Sequence, residues 1–214
     1  MRYKLAVFDL DGTLLDTLKD LWASVNVILK AHNHPERSLE EIRQFVGNGS
    51  VKLIERAVPA GTSKEEEKII HDEYKEYYDK HCNDLTKAYD GILDVLKVLK
   101  NNGVKLAILS NKPNFTVEKL NDIYFEGLFV IARGSLPEVA VKPAPDSLLR
   151  ILEELKIAKE DTVYIGDSDV DVNTAKNAGV DEIAVTWGFR DKDFLEANGA
   201  TSFANKCEEL LDLI

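Results

Sequence analysis

The chain has little cysteine, the residue on which disulfide frameworks and many zinc sites depend. Cys82 and Cys207 are the two cysteines in 214 residues, and neither has a second cysteine or a histidine nearby at metal-ligand spacing. The sequence leaves open whether they form one disulfide, although two thiols in a reducing cytosol are the simpler interpretation. The cysteines therefore give no sign of a disulfide-rich or zinc-binding protein.

Long apolar runs and basic clusters are also missing. No apolar stretch approaches the ~18 residues that cross a bilayer. Asp9 and Asp11 interrupt the apolar start of the chain, which argues against a signal peptide. Acidic residues outnumber basic ones by 38 to 27, giving a net charge of −11 that repels polyanions. We therefore expect a cytoplasmic monomer or homodimer that binds neither nucleic acid nor a membrane.

The second half of the chain alternates between strand-like and helix-like segments. Short apolar runs rich in β-formers lie at 4–8, 104–109, 128–132, 162–165 and 182–186. Helical periodicity falls at 91–102, 145–156 and 171–178. Strands that alternate with helices predict an α/β fold, in which a parallel sheet carries helices on both faces.

Residues 16–85 break this alternation, because no strand is evident among them. The segment begins with an amphipathic pattern around Leu21 and Val25. Two capping boxes, Ser38 with Glu41 and Ser63 with Glu66, then introduce further helical runs. We therefore predict an α/β core made of 1–15 and 86–214, with an inserted all-helical domain at 16–85.

The most informative segment is DLDGT, which follows the first predicted strand. Ligands of open parallel sheets bind at the carboxyl ends of strands. Alternate residues of an extended chain point the same way, so Asp9 and Asp11 can address one point. Gly12 then lets the backbone turn sharply and approach a ligand closely. Taken alone, the segment fits an acidic helix-capping turn equally well.

Three more polar segments follow later predicted strands. Ser110 and Asn111 offer a hydroxyl and amides suited to phosphate oxygens, although both residue types are also common helix N-caps. Lys142, in VKPAPD, precedes two prolines that would fix its loop. In GDSDVD, three acids at alternate positions from Asp167 to Asp171 suggest a hard cation with oxygen ligands.

Neither acidic segment is a calcium-binding EF-hand. With Asp167 as the first residue of the loop, the sixth is Val172 instead of glycine and the last is Ala178 instead of glutamate, and DLDGT fails in the same way. Acids, a lysine and a hydroxyl at strand ends fit Mg²⁺ and a phosphate group instead. The cation and Lys142 would offset the negative charge of carboxylates and substrate.

Together, the four segments resemble the four motifs of the haloacid dehalogenase superfamily, in the family's order and over essentially the whole chain. DLDGT resembles the first motif, Ser110 in ILSNK the second, Lys142 in VKPAPD the third and GDSDVD the fourth. FVGNG, SNKP and TWGFR are similar to the phosphoglycolate phosphatase-like branch. The resemblance implies a Rossmann-like core with a helical cap, and a Mg²⁺-dependent phosphatase of a small metabolite, with 2-phosphoglycolate as the leading substrate.

The resemblance also implies a role for each matched residue. Asp9 would attack phosphorus to form an aspartyl-phosphate, and Asp11 would protonate the leaving oxygen and then deprotonate the attacking water. The implied phosphate-binding residues are Gly12, Ser110, Asn111 and Lys142. The implied Mg²⁺ ligands are Asp9, Asp11 through its backbone carbonyl, Asp167, and Asp171 directly or through water.

Other functions remain open from the sequence. An inorganic pyrophosphatase or a sugar-phosphate mutase would use the same site, and Thr13 favours hydrolysis over the mutase. Asp11 argues against dehalogenation, since the family's dehalogenases lack an acid there. A non-hydrolytic phospho-accepting signalling module is a third alternative. Asp11 and the inserted helical domain both oppose it.

Overall fold

The computed structural model describes all 214 residues. They fold as two compact units, one made of Met1–Asp16 with Ala88–Ile214 and the other of Thr17–Lys87. The first unit is α/β and the second is helical. The role of the helical unit as a substrate-selecting cap stays a prediction.

The α/β unit is built on a six-stranded parallel sheet. The strands of the chain are β1 (Leu5–Phe8), β2 (Leu15–Asp16), β3 (Lys87–Ala88), β4 (Lys105–Pro113), β5 (Ile131–Ser135), β6 (Thr162–Gly166), β7 (Asp181–Val185) and β8 (Phe203–Ala204). The order across the sheet is β5-β4-β1-β6-β7-β8, with every neighbouring pair parallel. β2 and β3 form a separate two-stranded sheet. All residues of the central strands β1 and β6 are buried, as in parallel sheets covered on both faces.

Ten α-helices and two short 3-10 helices, Lys159–Asp161 and Cys207–Glu209, complete the fold. Those of the helical unit are α1 (Leu18–Ala31), α2 (Leu39–Phe45), α3 (Ser50–Ala57) and α4 (Lys64–His81). Those of the α/β unit are α5 (Ile92–Asn101), α6 (Asn114–Tyr124), α7 (Asp146–Leu155), α8 (Asp169–Ala178), α9 (Lys192–Ala197) and α10 (Leu210–Leu213). None of them is both long and apolar enough to cross a lipid bilayer. The predicted α/β class, with a parallel sheet flanked by helices, is confirmed.

One of the two predicted capping boxes is complete and the other is only half formed. At α2, Glu41 N–H donates to Ser38 Oγ at 3.2 Å, and Ser38 N–H donates back to the Glu41 carboxylate at 2.7 Å. At α4, Glu66 N–H donates to Ser63 Oγ at 3.2 Å, but the Glu66 carboxylate lies 3.1 Å from His34 Nε2. A tertiary partner thus draws the Glu66 side chain away from the local cap.

The strand predicted at 128–132 is misplaced, since β5 begins only at Ile131. The backbone turns just before it, where Leu128 N–H donates to Phe125 O at 2.8 Å. Phe129 then packs edge-on against the rings of Phe125 and Phe8, with centroids 5.3 and 6.2 Å apart. The apolar residues that suggested a strand are therefore a turn packed on the core. The neighbouring strand β4 differs in the opposite way. It is longer than the strand predicted at 104–109, because it continues through Pro113.

Candidate active site

Three aspartates meet beyond the carboxyl ends of the neighbouring strands β1 and β6. Phe8 and Ile165 are paired in the sheet, so Asp9 and Asp167 emerge next to each other. Asp171 joins them from the first turn of α8. One carboxylate oxygen of each lies within 4.8 Å of the others, and all three residues are buried. The predicted meeting of the first and fourth motifs is therefore observed.

Crowding and burial disfavour the ionised forms of these carboxylates. Burial raises the pKa of Asp9 to about 7, against the influence of Lys142 and with further increases from Asp171 and Asp11. Burial, with Asp171 and Asp9, also raises the pKa of Asp167 well above its usual range. A cation bound among the three groups would relieve both effects.

Lys142 is the buried cation of the cluster. Its Nζ lies 2.9 Å from Asp9 Oδ1 and donates to Asp171 Oδ1 at 2.7 Å and to Tyr164 OH at 2.9 Å. Burial alone would lower the pKa of Lys142, but Asp171 and Asp9 raise it well above its usual value. The side chain is therefore a fixed ammonium beside Asp9.

Asn111 fixes the backbone of this lysine. Asn111 Nδ2 donates to Lys142 O at 3.0 Å, and Lys142 N–H donates to Asn111 Oδ1 at 2.8 Å. The predicted phosphate-binding side chain of Asn111 is thus engaged in holding Lys142. Any contact of Asn111 with a phosphate is left to its backbone.

Both oxygens of Asp171 already accept hydrogen bonds. Oδ1 takes the bond from Lys142 and lies 3.2 Å from Tyr164 OH, while Oδ2 accepts from Ser168 Oγ at 2.6 Å and from Ser168 N–H at 3.2 Å. Asp9 differs, because its buried Oδ1 accepts no well-oriented hydrogen bond despite its contact with Lys142. Asp171 is therefore satisfied within the protein, whereas Asp9 is not.

Asp167 is held in a tight cradle. Thr13 Oγ1 donates to its Oδ1 at 3.2 Å, and Phe189 N–H donates to its Oδ2 at 2.7 Å. A Cβ atom on Gly12 would lie 2.3 Å from Asp167 Oδ2, and one on Gly188 would lie 2.3 Å from Asp167 Cβ. Gly12 also has φ +81°, in the left-handed region that favours glycine. Only glycines fit at these two places.

Asp11 lies outside the three-carboxylate cluster. Its Oδ1 is 2.8 Å from Lys112 Nζ, and both side chains are largely buried. Lys112 N–H donates to Ser110 Oγ at 3.2 Å, so the second motif is buried next to Asp11. Gly12 N–H donates to Leu15 O at 2.9 Å. The predicted phosphate role of Gly12 therefore rests on its lack of a side chain, which lets a ligand approach the backbone closely.

The suggestion that Asp169 joins Asp167 and Asp171 in a cation site is wrong. Asp169 is not among the residues that could hold a metal, and its side chain is 34% exposed. Alternate residues share a direction only in an extended chain. Because α8 begins at Asp169, the helical rotation separates it from Asp167 while bringing Asp171 back to the cluster.

The charges in the site do not balance. Four carboxylates, of Asp9, Asp11, Asp167 and Asp171, face the ammonium groups of Lys112 and Lys142. In their ionised forms they leave two negative charges uncompensated, which is the charge that one divalent cation neutralises. Oxygen donors of this kind suit a hard ion such as Mg²⁺.

Sequence reasoning missed several residues of the site. Lys112, Tyr164 and Gly188 had no assigned role, and the backbone of Phe189 was not considered. Gly188 and Phe189 lie within TWGFR, so that motif carried a usable signal. Lys112 lies within ILSNK and SNKP, so those segments carried a usable signal as well. Tyr164 sits in an apolar run and has no sequence signature that separates it from a core residue.

Comparison with known proteins places this arrangement in a family. The family model described as haloacid dehalogenase-like hydrolase matches residues 6–185. Phosphoglycolate phosphatase 1 of Pseudomonas aeruginosa is 36% identical, over 97% of this chain and 78% of that protein. A phosphoglycolate phosphatase of Psychrobacter arcticus is 35% identical, over 95% of this chain and 92% of that protein.

A solved structure agrees. A Lactobacillus delbrueckii protein, provisionally assigned as a phosphoglycolate phosphatase, superposes with a TM-score of 0.95 and 36% identity, covering 100% of this chain and 99% of that one. The chain therefore belongs to the haloacid dehalogenase-like hydrolase family, among the phosphatases of its phosphoglycolate phosphatase-like branch.

Proposed function

We propose that this protein is a Mg²⁺-dependent phosphatase that hydrolyses 2-phosphoglycolate through an aspartyl-phosphate on Asp9. The observation that carries the proposal is the state of Asp9: it is buried at a strand end, lies 2.9 Å from a fixed ammonium, and keeps one oxygen without a well-oriented hydrogen bond. The names of the relatives support the substrate, since several of them are phosphoglycolate phosphatases.

The donor set fits a magnesium ion. Asp9 and Asp167 offer buried carboxylate oxygens, and the unsatisfied oxygen of Asp9 is the kind of orphaned acceptor that a cation satisfies. We assign the ion to Asp9, Asp167 and the backbone carbonyl of Asp11. Asp171 contributes through water, because each of its oxygens already accepts two hydrogen bonds, whereas each oxygen of Asp167 accepts one. When bound, Mg²⁺ supplies positive charge that lowers the repulsion between a carboxylate and a phosphate.

In the first step, a carboxylate oxygen of Asp9 attacks phosphorus while the bond from phosphorus to the leaving oxygen breaks. Two anions must meet for this to happen. Lys142 offsets part of their repulsion, because Asp171 and Tyr164 fix its ammonium group beside Asp9. The side chain of Asn111 also holds the Lys142 backbone in place. A charge held in place before the reaction needs no reorganisation during it.

Asp11 supplies the proton transfers. As an acid it protonates the leaving oxygen, and as a base it then takes a proton from the water that hydrolyses the aspartyl-phosphate. Its position two residues after Asp9, outside the three-carboxylate cluster, suits this separate task. Ser110, buried at the end of β4, and Lys142 bind the phosphoryl oxygens in this proposal.

The wider setting is also part of the proposal. We infer a cytoplasmic enzyme of a small phosphorylated metabolite, with the helical unit Thr17–Lys87 acting as the cap that selects the substrate. It binds neither nucleic acid nor a membrane, in keeping with its net charge of −11.

The test is phosphate release from 2-phosphoglycolate, β-glucose 1-phosphate, pyrophosphate and an aryl phosphate, each with Mg²⁺ and with EDTA. We expect Mg²⁺-dependent release with 2-phosphoglycolate as the clear favourite. Preference for pyrophosphate, or conversion of the sugar phosphate to an isomer, would replace this function by a pyrophosphatase or a mutase. A lasting phospho-enzyme without release would indicate a signalling module.

A further inference from the structure

A second buried lysine contacts the site, and none of the four motifs gives it a role. Lys112 Nζ lies 2.8 Å from Asp11 Oδ1, and its side chain is only 4% exposed. The two carboxylates that react in the proposed function are therefore each paired with a different buried ammonium, Asp9 with Lys142 and Asp11 with Lys112. A lysine is rarely buried this completely unless it is paired.

The sheet itself delivers Lys112 to this place. β1 and β4 are parallel neighbours in which Phe8 is paired with Ile108. Asp11 lies just beyond the carboxyl end of β1, and Lys112 lies next to last in β4, so both are at the same end of adjacent strands. The backbone of Lys112 is also tied into the site, since its N–H donates to Ser110 Oγ at 3.2 Å.

We propose that Lys112 is a positioning residue that holds the Asp11 carboxyl group in line for proton transfer. This inference rests on the proposed function. In the first step a bond forms between Asp9 and phosphorus, the bond to the leaving oxygen breaks, and the proton of Asp11 passes to that oxygen. In the second step Asp11 takes a proton from water, the water oxygen bonds to phosphorus, and the bond to Asp9 breaks. Lys112 exchanges no proton in either step.

Orientation matters because proton transfer needs the acid within hydrogen-bond reach of the leaving oxygen. Asp11 lies directly before Gly12, where the backbone turns beyond the end of β1. Lys112 Nζ contacts its Oδ1 from the neighbouring strand, which orients the carboxyl group and leaves Oδ2 to carry the proton that is transferred. A different use of Lys112, as a direct ligand of the substrate's anionic groups, is an outcome that the experiment must separate.

The experiment is a double-mutant cycle of Lys112→Met and Asp11→Asn, read as kcat/KM for 2-phosphoglycolate and for an aryl phosphate. An alkyl leaving group needs the proton and an aryl one needs it much less. We expect K112M to lose about 10²-fold with 2-phosphoglycolate, the scale typical of losing an oriented acid, and under about fivefold with the aryl phosphate. In the D11N background, K112M should have almost no further effect.

Three results would overturn the inference. Equal losses for both substrates would indicate a structural role. Losses that multiply in the double variant, or a rise in KM with kcat unchanged, would make Lys112 a substrate ligand. Wild-type kinetics in K112M would show that Lys112 has no role.

The control variant is Lys105→Met, at the exposed opposite end of the same strand, which should match the wild-type protein. Far-ultraviolet circular dichroism of each variant checks that it is folded. Failure of the wild-type protein to release phosphate from either substrate would instead count against the proposed function, so the two failures are distinguishable.

Discussion

Replacing Gly188 by alanine tests whether the cradle of Asp167 matters for metal binding. The new Cβ would lie 2.3 Å from Asp167 Cβ, and 2.5 Å from both Asp167 Oδ2 and Gly12 O. Ordinary contact begins at 3.4 Å, so the neighbours must move by about 1 Å. Asp167 is the carboxylate that has to move, because two of the three clashing atoms belong to its side chain. Its hydrogen bond from Phe189 N–H is disturbed as well, since Phe189 directly follows the substituted residue.

The magnitude follows from that displacement. A misplacement of about 1 Å at a reactive site costs on the order of 10²-fold in rate. Changes to groups that orient a metal ligand cost about 10–100-fold in metal affinity. We therefore expect G188A to need about 10–100-fold more Mg²⁺ for half-maximal phosphate release, and to lose about 1–3 kcal/mol of unfolding free energy through overpacking.

The assay is a Mg²⁺ titration of phosphate release, with urea unfolding alongside. Gly127→Ala is the matched control, since an added Cβ there meets no atom within 4 Å and only the backbone conformation, φ +70°, is unfavourable. It should lose some stability and keep its Mg²⁺ requirement. A folded G188A protein with a wild-type Mg²⁺ dependence would refute the reasoning.

Three further predictions follow from buried groups. Asp9→Asn should abolish phosphate release yet leave the metal-free protein at least as stable at pH 8, as thermal unfolding would show, because burial raises the pKa of Asp9 to about 7 and makes its charge unfavourable; clear destabilisation would contradict this. Tyr164→Phe should lower kcat about tenfold by removing one partner of the Lys142 ammonium, at a cost of about 1–2 kcal/mol in urea unfolding; an unchanged kcat would remove Tyr164 from the account. Burial raises the pKa of Glu182 from 4.5 to about 8, so the folded protein binds more protons than the unfolded chain in that window and loses stability as the pH rises through it. Glu182→Gln should therefore gain ~2–4 kcal/mol relative to the wild-type protein between pH 5 and pH 8, and a difference that does not change with pH would contradict the argument.

The sheet was predictable because its central strands have a recognisable sequence pattern. Buried parallel strands must be apolar on both faces, and residues 4–8 and 162–165 are short apolar runs that coincide closely with β1 and β6. The same rule failed at 128–132, where Phe129 is apolar for another reason, namely its packing against Phe125 and Phe8. An apolar run reports burial before it reports conformation.

The motif residues of the site were predictable from the sequence, whereas the contacts that hold them in place were not. Strand ends bring Asp9 and Asp167 together, and the loop between β5 and α7 places Lys142 beside Asp9. The sequence could not show that Asn111 binds the backbone of Lys142 in preference to facing outward, because this depends on where a distant loop lies. Nor could it pair Lys112 with Asp11, since that contact arises from the register of β1 against β4.

The central claim is that Asp9 forms a covalent bond to phosphorus. The most direct measurement is reductive trapping of the reacting protein followed by peptide mass spectrometry, using Asp11→Asn with an aryl phosphate. The aryl leaving group needs little protonation, so the first step proceeds while the second step is slow. The account predicts an acyl-phosphate on Asp9 that forms only with Mg²⁺ and is absent from Asp9→Asn. Phosphate release with no modified aspartate, or modification of a different residue, would contradict it.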